Sequence, residues 1–105
     1  MIIYNVTSNI HESVHDQWLQ WMQHTHIPEM IATGKFTKAR LVKVLLDEEG
    51  SVTYSVQFYT DCKANLEKYY DEDADRLRQQ TKEKFGDKVN SFRTELQIIS
   101  DHSAI

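Results

Sequence analysis

The stretch Trp18–Phe36, WLQWMQHTHIPEMIATGKF, contains both tryptophans of the chain and its only proline. Apolar residues that lead into it recur at helical spacing and predict a helix with one apolar stripe: Val14, Trp18, Trp21 and Met22. Pro28 removes a backbone donor and its ring clashes with the preceding turn, so we expect a break or kink near His26. A short second helical piece would then begin at Pro28 and stop at Gly34, which suits a left-handed cap.

The rest of the chain has the patterns of strands and of one further helix. Four segments have the alternation or the β-branched and apolar composition of strands: residues 2–10, 36–47, 51–60 and 87–100. A turn that ends at Gly50 joins the middle two strands into a hairpin, and helical spacing runs from Asp61 to Gly86. The order is β-α-β-β-α-β, so we predict an α+β, ferredoxin-like sandwich with both helices on one face of a four-stranded antiparallel sheet. Residues 1–100 would form this single domain and residues 101–105 a flexible tail.

The predicted second strand is apolar on both of its faces. Its two sets are Ala39, Leu41 and Leu45 on one side, and Val42, Val44 and Leu46 on the other. An exposed apolar surface of this kind marks an interface. We therefore expect a homodimer in which two sheets pack face to face, as they do in dimeric α/β barrels.

Composition excludes several classes of partner. The net charge of −4 and the lack of a Lys/Arg run argue against binding to nucleic acid. No apolar stretch approaches the ~20 residues of a membrane span, and Met1–Asn5 lacks the charged and apolar regions of a signal peptide. Cys62 is the only cysteine, which excludes an internal disulfide and a cysteine-based zinc site. We expect a cytoplasmic protein with no cofactor.

Histidines occur in two patterns that resemble metal sites. His11–His15 reads HESVH, the spacing of a zinc protease motif, but it spans a predicted strand end and helix start rather than the middle of a helix. His24 and His26 lie two residues apart, so on a helix they point to opposite sides. We therefore predict no metal site, and interpret HESVH as a surface turn.

Two arginines lie inside predicted strands, among apolar and aromatic residues. A buried guanidinium needs a carboxylate, a phosphate or a ligand as its partner. For Arg93 the simplest partner is Glu95, two residues along on the same face of the strand. The alternative for Arg93 and Arg40 is anion binding in a cleft between the sheet and the first helix.

We place a candidate ligand site in this cleft. Its predicted residues are His26, Arg40, Tyr54, Arg93 and Trp21. His26 is the candidate catalytic and titrating group, because its ordinary pKa is about 6.5. The structural alternative is that His26 bonds the carbonyls freed by Pro28, since buried polar side chains mostly satisfy backbone groups.

Several segments taken together resemble one known family. They are MIIYNVT at residues 1–7, WLxWM at 18–22, HIPxxxxxGxF at 26–36, YSVQ at 54–57 and FRT at 92–94. This combination resembles a bacterial family described as domain of unknown function 4286 (DUF4286). The resemblance implies a small cytoplasmic protein with a ferredoxin-like or dimeric α/β barrel fold, and it implies no established activity.

Three functions fit these patterns. The first is a homodimer that binds a small ligand in the cleft. The second is an enzyme of the monooxygenase or isomerase kind, in which His26 moves a proton and Arg93 stabilises a developing oxyanion. The third is an interaction module whose open sheet face binds another protein.

Overall fold

The computed structural model describes residues 1–105 and has one antiparallel sheet with both helical stretches on one face. Its strands are β1 (Ile2–His11), β2 (Lys38–Lys43), β3 (Ser51–Thr60) and β4 (Val89–Gln97). The order across the sheet is β2-β3-β1-β4. This is the strand order of a split βαβ fold, so the predicted α+β, ferredoxin-like arrangement is confirmed.

Each helical stretch consists of two α-helices joined by a π-turn. The first is α1 (His15–Trp21), the π-turn Met22–His26 and α2 (Ile27–Ala32). The second is α3 (Lys63–Tyr69), the π-turn Tyr70–Ala74 and α4 (Asp75–Phe85). The glycines that follow have positive φ, 78° at Gly34 and 59° at Gly86, and both predicted helix stops are confirmed.

The expected break at Pro28 takes the form of the first π-turn. The amide of Ile27 donates to the carbonyl of Met22, five residues back, instead of four. In a regular α-helix the Pro28 ring would clash with the carbonyl of His24. The wider turn relieves that clash, so helical structure continues past Pro28 as α2.

The core lies between the helices and the sheet. On the sheet side it contains Tyr4, Ile10, Val56 and Phe58, and on the helical side Trp18, Met22, Met30, Leu66, Tyr69, Leu77 and Phe85. Because an aromatic ring removes ~150–250 Å² from water, each buried ring contributes about 4–6 kcal/mol of transfer free energy as an upper value. Of the predicted apolar stripe of the first helix, Trp18 and Met22 are buried in this core, and Val14 and Trp21 pack against it partly buried.

The helix-free face of the sheet is less apolar than the sequence suggested. Its two central strands carry polar side chains there: Asn5, Thr7, Asn9, Ser55 and Gln57. Apolar side chains are confined to the two sides of the face: Val42, Val44 and Leu46 along β2 and its continuation, and Ile3, Phe92 and Leu96 toward β4. The prediction that β2 extends to residue 47 is wrong. The strand ends at Lys43, so Leu45 leaves the sheet and is 89% exposed instead of facing the helices.

The edge strand β4 is only partly covered by the helical layer. Arg93 and the other helix-facing side chains toward its C-terminal end remain exposed. Residues 98–105 form neither helix nor strand. No helix has the length and apolar character that crossing a membrane requires.

Candidate functional site

A small cavity lies between the helical layer and the sheet, beside the first π-turn. Its volume is about 40 Å³. Apolar walls come from Trp18, Met22, Met30, Val56 and Phe58, and polar groups from Ser8, His26, Tyr69, Arg78, Ser91 and Arg93. Since one water occupies about 10–15 Å³ on this measure, the cavity has space for a few waters or for one small polar group.

His26 faces this cavity from the π-turn and has no hydrogen-bond partner. Its Nδ1 is buried and unpaired. Burial lowers the pKa of the imidazole from 6.5 to about 4, and the positive charge of Arg93 adds to that effect. The ring is therefore neutral at neutral pH. The alternative interpretation, that His26 bonds carbonyls freed by Pro28, is not what the structure shows.

Arg93 reaches the same cavity from β4, and its predicted carboxylate partner is engaged elsewhere. Glu95 accepts a hydrogen bond of 2.9 Å from the Tyr70 hydroxyl and lies 3.5 Å from Lys63 Nζ. Arg93 forms no ion pair and no side-chain hydrogen bond. The expected Arg93–Glu95 pair is therefore wrong, and Arg93 is left with an unpaired guanidinium beside the cavity.

A second arginine, Arg78 of α4, lines the cavity and was not singled out from the sequence. Its Nη2 donates to the Tyr4 hydroxyl at 3.0 Å, whereas its Nε is buried without a partner. The available signal was helical spacing, because Arg78 lies four residues after Ala74 and three before Thr81. Ala74 is buried and Thr81 lines the cavity, so the intervening Arg78 is turned toward the sheet.

Tyr54 and Trp21 lie near His26 or its helix but do not line the cavity. Tyr54 faces the helices from β3, where its hydroxyl bonds His15 Nε2 at 2.7 Å and its ring packs on Trp18. The indole of Trp21 stacks on the imidazole of His26, with a centroid distance of 4.8 Å, and meets the edge of Phe85. Trp21 thus covers His26 on the side away from the cavity.

Arg40 does not belong to this cleft. It pairs with Gln57 across β2 and β3, on the helix-free face, and its guanidinium lies 5.9 Å from the centroid of the Tyr59 ring. The prediction that Arg40 and Tyr54 share one site is wrong, because the two side chains project from opposite faces of the sheet. The role of Arg40 on its own face stays a prediction.

The HESVH motif is divided between a strand and a helix. His11 ends β1, and its Nδ1 accepts a hydrogen bond from the amide of Ser13 at 3.1 Å. His15 begins α1 and bonds Tyr54. The two imidazoles therefore have separate partners, and no group of three metal-ligating side chains comes together anywhere in the chain.

The cavity adjoins a wider groove between α4 and β4. The groove has a volume of about 520 Å³ and shares Arg78, Thr81, Val89, Ser91 and Arg93 with the cavity. Lys82 and Asp87 lie farther out along it. A ligand that enters from solvent through this groove meets both arginines before it reaches His26.

Comparison with known proteins identifies a family. The family model described as "Domain of unknown function (DUF4286)" matches residues 1–99. No curated protein and no solved structure was found to match the chain. The match covers nearly the whole chain and agrees with the resemblance of its segments. The chain belongs to the family of domain of unknown function 4286.

Proposed function

We propose that this protein binds a small molecule in the cavity beside His26. The observation that carries the proposal is a pair of buried, unpartnered polar atoms, His26 Nδ1 and Arg78 Nε, on residues that line the same cavity. A buried polar group without a partner costs about 1–3 kcal/mol, so proteins rarely leave two of them together. A polar ligand in the cavity would supply both partners.

The shape of the site supports a ligand with one polar and one apolar part. The polar groups of His26, Arg78 and Arg93 share the cavity with the apolar walls of Trp18 and Met22. Small-molecule sites have this character, with mostly apolar walls and a few convergent polar groups that fix orientation. The wider groove toward Lys82 would accommodate parts of a ligand that do not fit inside.

We favour binding over catalysis because of the protonation state of His26. A general acid or base works best when its pKa is near the working pH. The pKa of His26 is lowered to about 4, so at neutral pH the ring is neutral imidazole, which lacks the acidic proton of an imidazolium and is a weak base. The monooxygenase or isomerase hypothesis would require a bound ligand to raise that pKa.

We also propose that two copies pair through the helix-free sheet face. The polar side chains at its centre are bonded to one another: Asn5 donates to Thr7 and Thr94, and Asn9 donates to Ser51 and Thr53. A second copy that covers these side chains would therefore leave few hydrogen-bond donors unsatisfied. The apolar sides of the face, Phe92 and Leu96 toward β4 and Val42 and Val44 along β2, are self-complementary across a two-fold axis.

The ligand proposal is tested by a nuclear magnetic resonance (NMR) screen of small neutral and charged organic molecules against ¹⁵N-labelled protein. We expect amide shifts to cluster at residues lining the cavity. Ser91→Phe, which fills the junction of cavity and groove, should abolish them. Gln97→Phe is the matched control, because Gln97 lies on the same face of β4 but outside the cavity. Shifts that avoid the cavity, or that persist in Ser91→Phe, would contradict the proposal.

A further inference from the structure

We propose that the ligand of this site is a small organic carboxylate, whose carboxyl group lies in the cavity between Arg78 and Arg93 and whose remaining part extends into the adjoining groove. This inference rests on the proposed ligand-binding function and adds the chemical class. Both arginines line one cavity, although they come from α4 and β4.

The charge around the cavity is positive and uncompensated. No aspartate or glutamate is among the residues that line it. The nearby acidic side chains have other partners: Glu95 bonds Tyr70, and Asp73 lies 3.0 Å from Lys35 Nζ and 3.2 Å from Arg76 Nη2. In a chain whose net charge is −4, this is a local excess of positive charge where the cavity meets the groove. An anion is the ligand class that such a site favours.

The available donors suit a planar oxyanion. Arg93 has no hydrogen-bond partner, and Arg78 has a buried Nε still free after its Nη2 has bonded Tyr4. A guanidinium presents its donors in a planar fork that matches the two oxygens of a carboxylate. The Tyr4 hydroxyl holds Arg78 in place, and the Tyr4 ring packs 5.4 Å from that of Tyr69, another lining residue. The donors of Arg78 are therefore positioned before any ligand arrives.

Size and polarity select a carboxylate over a phosphate. The enclosed space is about 40 Å³, which suits a group of three heavy atoms better than one of five. The walls at Met22, Met30 and Val56 offer apolar contact and no side-chain donors for additional oxygens. The groove provides the entry, and because it carries both Lys82 and Asp87, the selection for an anion depends on the two arginines.

The inference is tested with matched pairs of acids and their neutral amides: butyrate with butyramide, and benzoate with benzamide. Each pair has nearly the same shape and differs in charge. Titrations followed by NMR at fixed ionic strength should show that each acid binds about tenfold tighter than its amide, or more, because charge-assisted hydrogen bonds are the stronger ones. Inorganic phosphate, added at the same ionic strength, should bind more weakly than butyrate.

Variants separate the arginines from general electrostatics. Arg93→Gln should weaken butyrate binding about tenfold or more, and Arg78→Lys should weaken it in the same direction by losing the planar fork. Lys84→Gln, the matched control, removes one exposed charge from the same helix as Arg78 but lines neither the cavity nor the groove, and it should change affinity less than about twofold. Arg78→Lys keeps a cation near Tyr4, so it guards against an effect due only to unfolding.

The outcomes distinguish the carboxylate assignment from the proposed ligand-binding function. If amides bind in the cavity as tightly as acids, or Lys84→Gln weakens butyrate as much as Arg93→Gln does, the carboxylate assignment is overturned and ligand binding stands. If phosphate binds more tightly than butyrate, the ligand is a phosphate instead. If neither acids, amides nor phosphate shift the cavity amides, both proposals fail.

Discussion

Trp21 stacks on His26 across the π-turn, with their ring centroids 4.8 Å apart and their planes inclined by 26°. The π-turn makes this possible, since it places two residues five apart in sequence on the same side of the helix. One face of the imidazole is then covered by indole, while its Nδ1 stays buried without a partner. A neutral, oriented histidine beside an unpaired arginine is the result, and several measurable consequences follow from it.

The stability of the protein should fall as the pH drops from about 6.5 to about 4. The pKa of His26 is about 4 in the folded protein and near 6.5 when unfolded, so between these values the unfolded chain binds more protons. The loss should reach about 2–3 kcal/mol. Urea unfolding at several pH values measures it. His26→Gln should remove this part of the pH dependence, whereas His24→Gln, at an exposed histidine, should leave it intact. Equal slopes in both variants would contradict this account.

Replacing Trp21 should return the pKa of His26 toward its ordinary value. Trp21→Ala exposes the imidazole and reduces the burial that lowers its pKa, so we expect the pKa to rise toward 6.5. The free energy of unfolding should fall by about 2–3 kcal/mol, below the range for a fully buried tryptophan because Trp21 is half-buried. NMR titration of the ring protons reports the pKa. Trp21→Phe retains an aromatic stack and should show the smaller change in both quantities.

The proposed dimer should be sensitive to charge on the helix-free face. Light scattering at micromolar concentration should give the mass of two chains. Phe92→Glu places a charge within the apolar edge and should raise the dissociation constant at least about tenfold. Phe92 is 62% exposed in the single chain, so the change should leave the fold intact. Gln97→Glu, on the other face of β4, is the control.

A monomer at every concentration would contradict the dimer. It would then favour the interaction-module hypothesis, in which this same face stays open for a different protein.

Lys35 should link the two helical stretches through its ion pairs. Its Nζ lies 2.7 Å from Glu72 and 3.0 Å from Asp73, both in the second π-turn, and these hydrogen bonds raise the pKa of the lysine. Lys35→Gln should lower the urea midpoint in dilute buffer, and the loss should shrink in concentrated salt, which screens surface charges. Lys38→Gln, where the lysine lies over the Tyr59 ring and has no carboxylate partner, should show less salt dependence. A salt-independent loss would point to packing rather than charge.

The candidate site was partly predictable from local pattern. The position of Pro28 drew attention to His26, because a proline inside a helix disturbs the backbone of the preceding turn. The pairing of Arg93 with Glu95 was predicted from their proximity in the sequence alone. In the folded chain Tyr70 and Lys63 approach Glu95 from α3 and its π-turn, and Arg93 is left unpaired. Contacts of that kind depend on how the helix is seated on the sheet.

Arg40 shows that alternation along a strand predicts which residues share a side, but not which side faces the helices. The pattern of β2 correctly indicated that Arg40 and Val42 share one side of the strand. Both sides of β2 are apolar, so the pattern could not tell which side meets the helices. Pairing with β3 decided it: Ala39 opposes Phe58 and faces the core, which turns Arg40 to the opposite face.

The sequence by itself determined the order of strands and helices, the helix ends at Gly34 and Gly86, and the break in the helix before Pro28. Each of these features depends on residues that lie close together along the chain. The tertiary structure decided which charges meet. Arg78 and Arg93 lie on different elements and become neighbours only when α4 packs against the sheet beside β4. Electrostatic attraction depends on the distance between two charges in space. That distance cannot be read from their separation along the chain, because it is set only when the core forms.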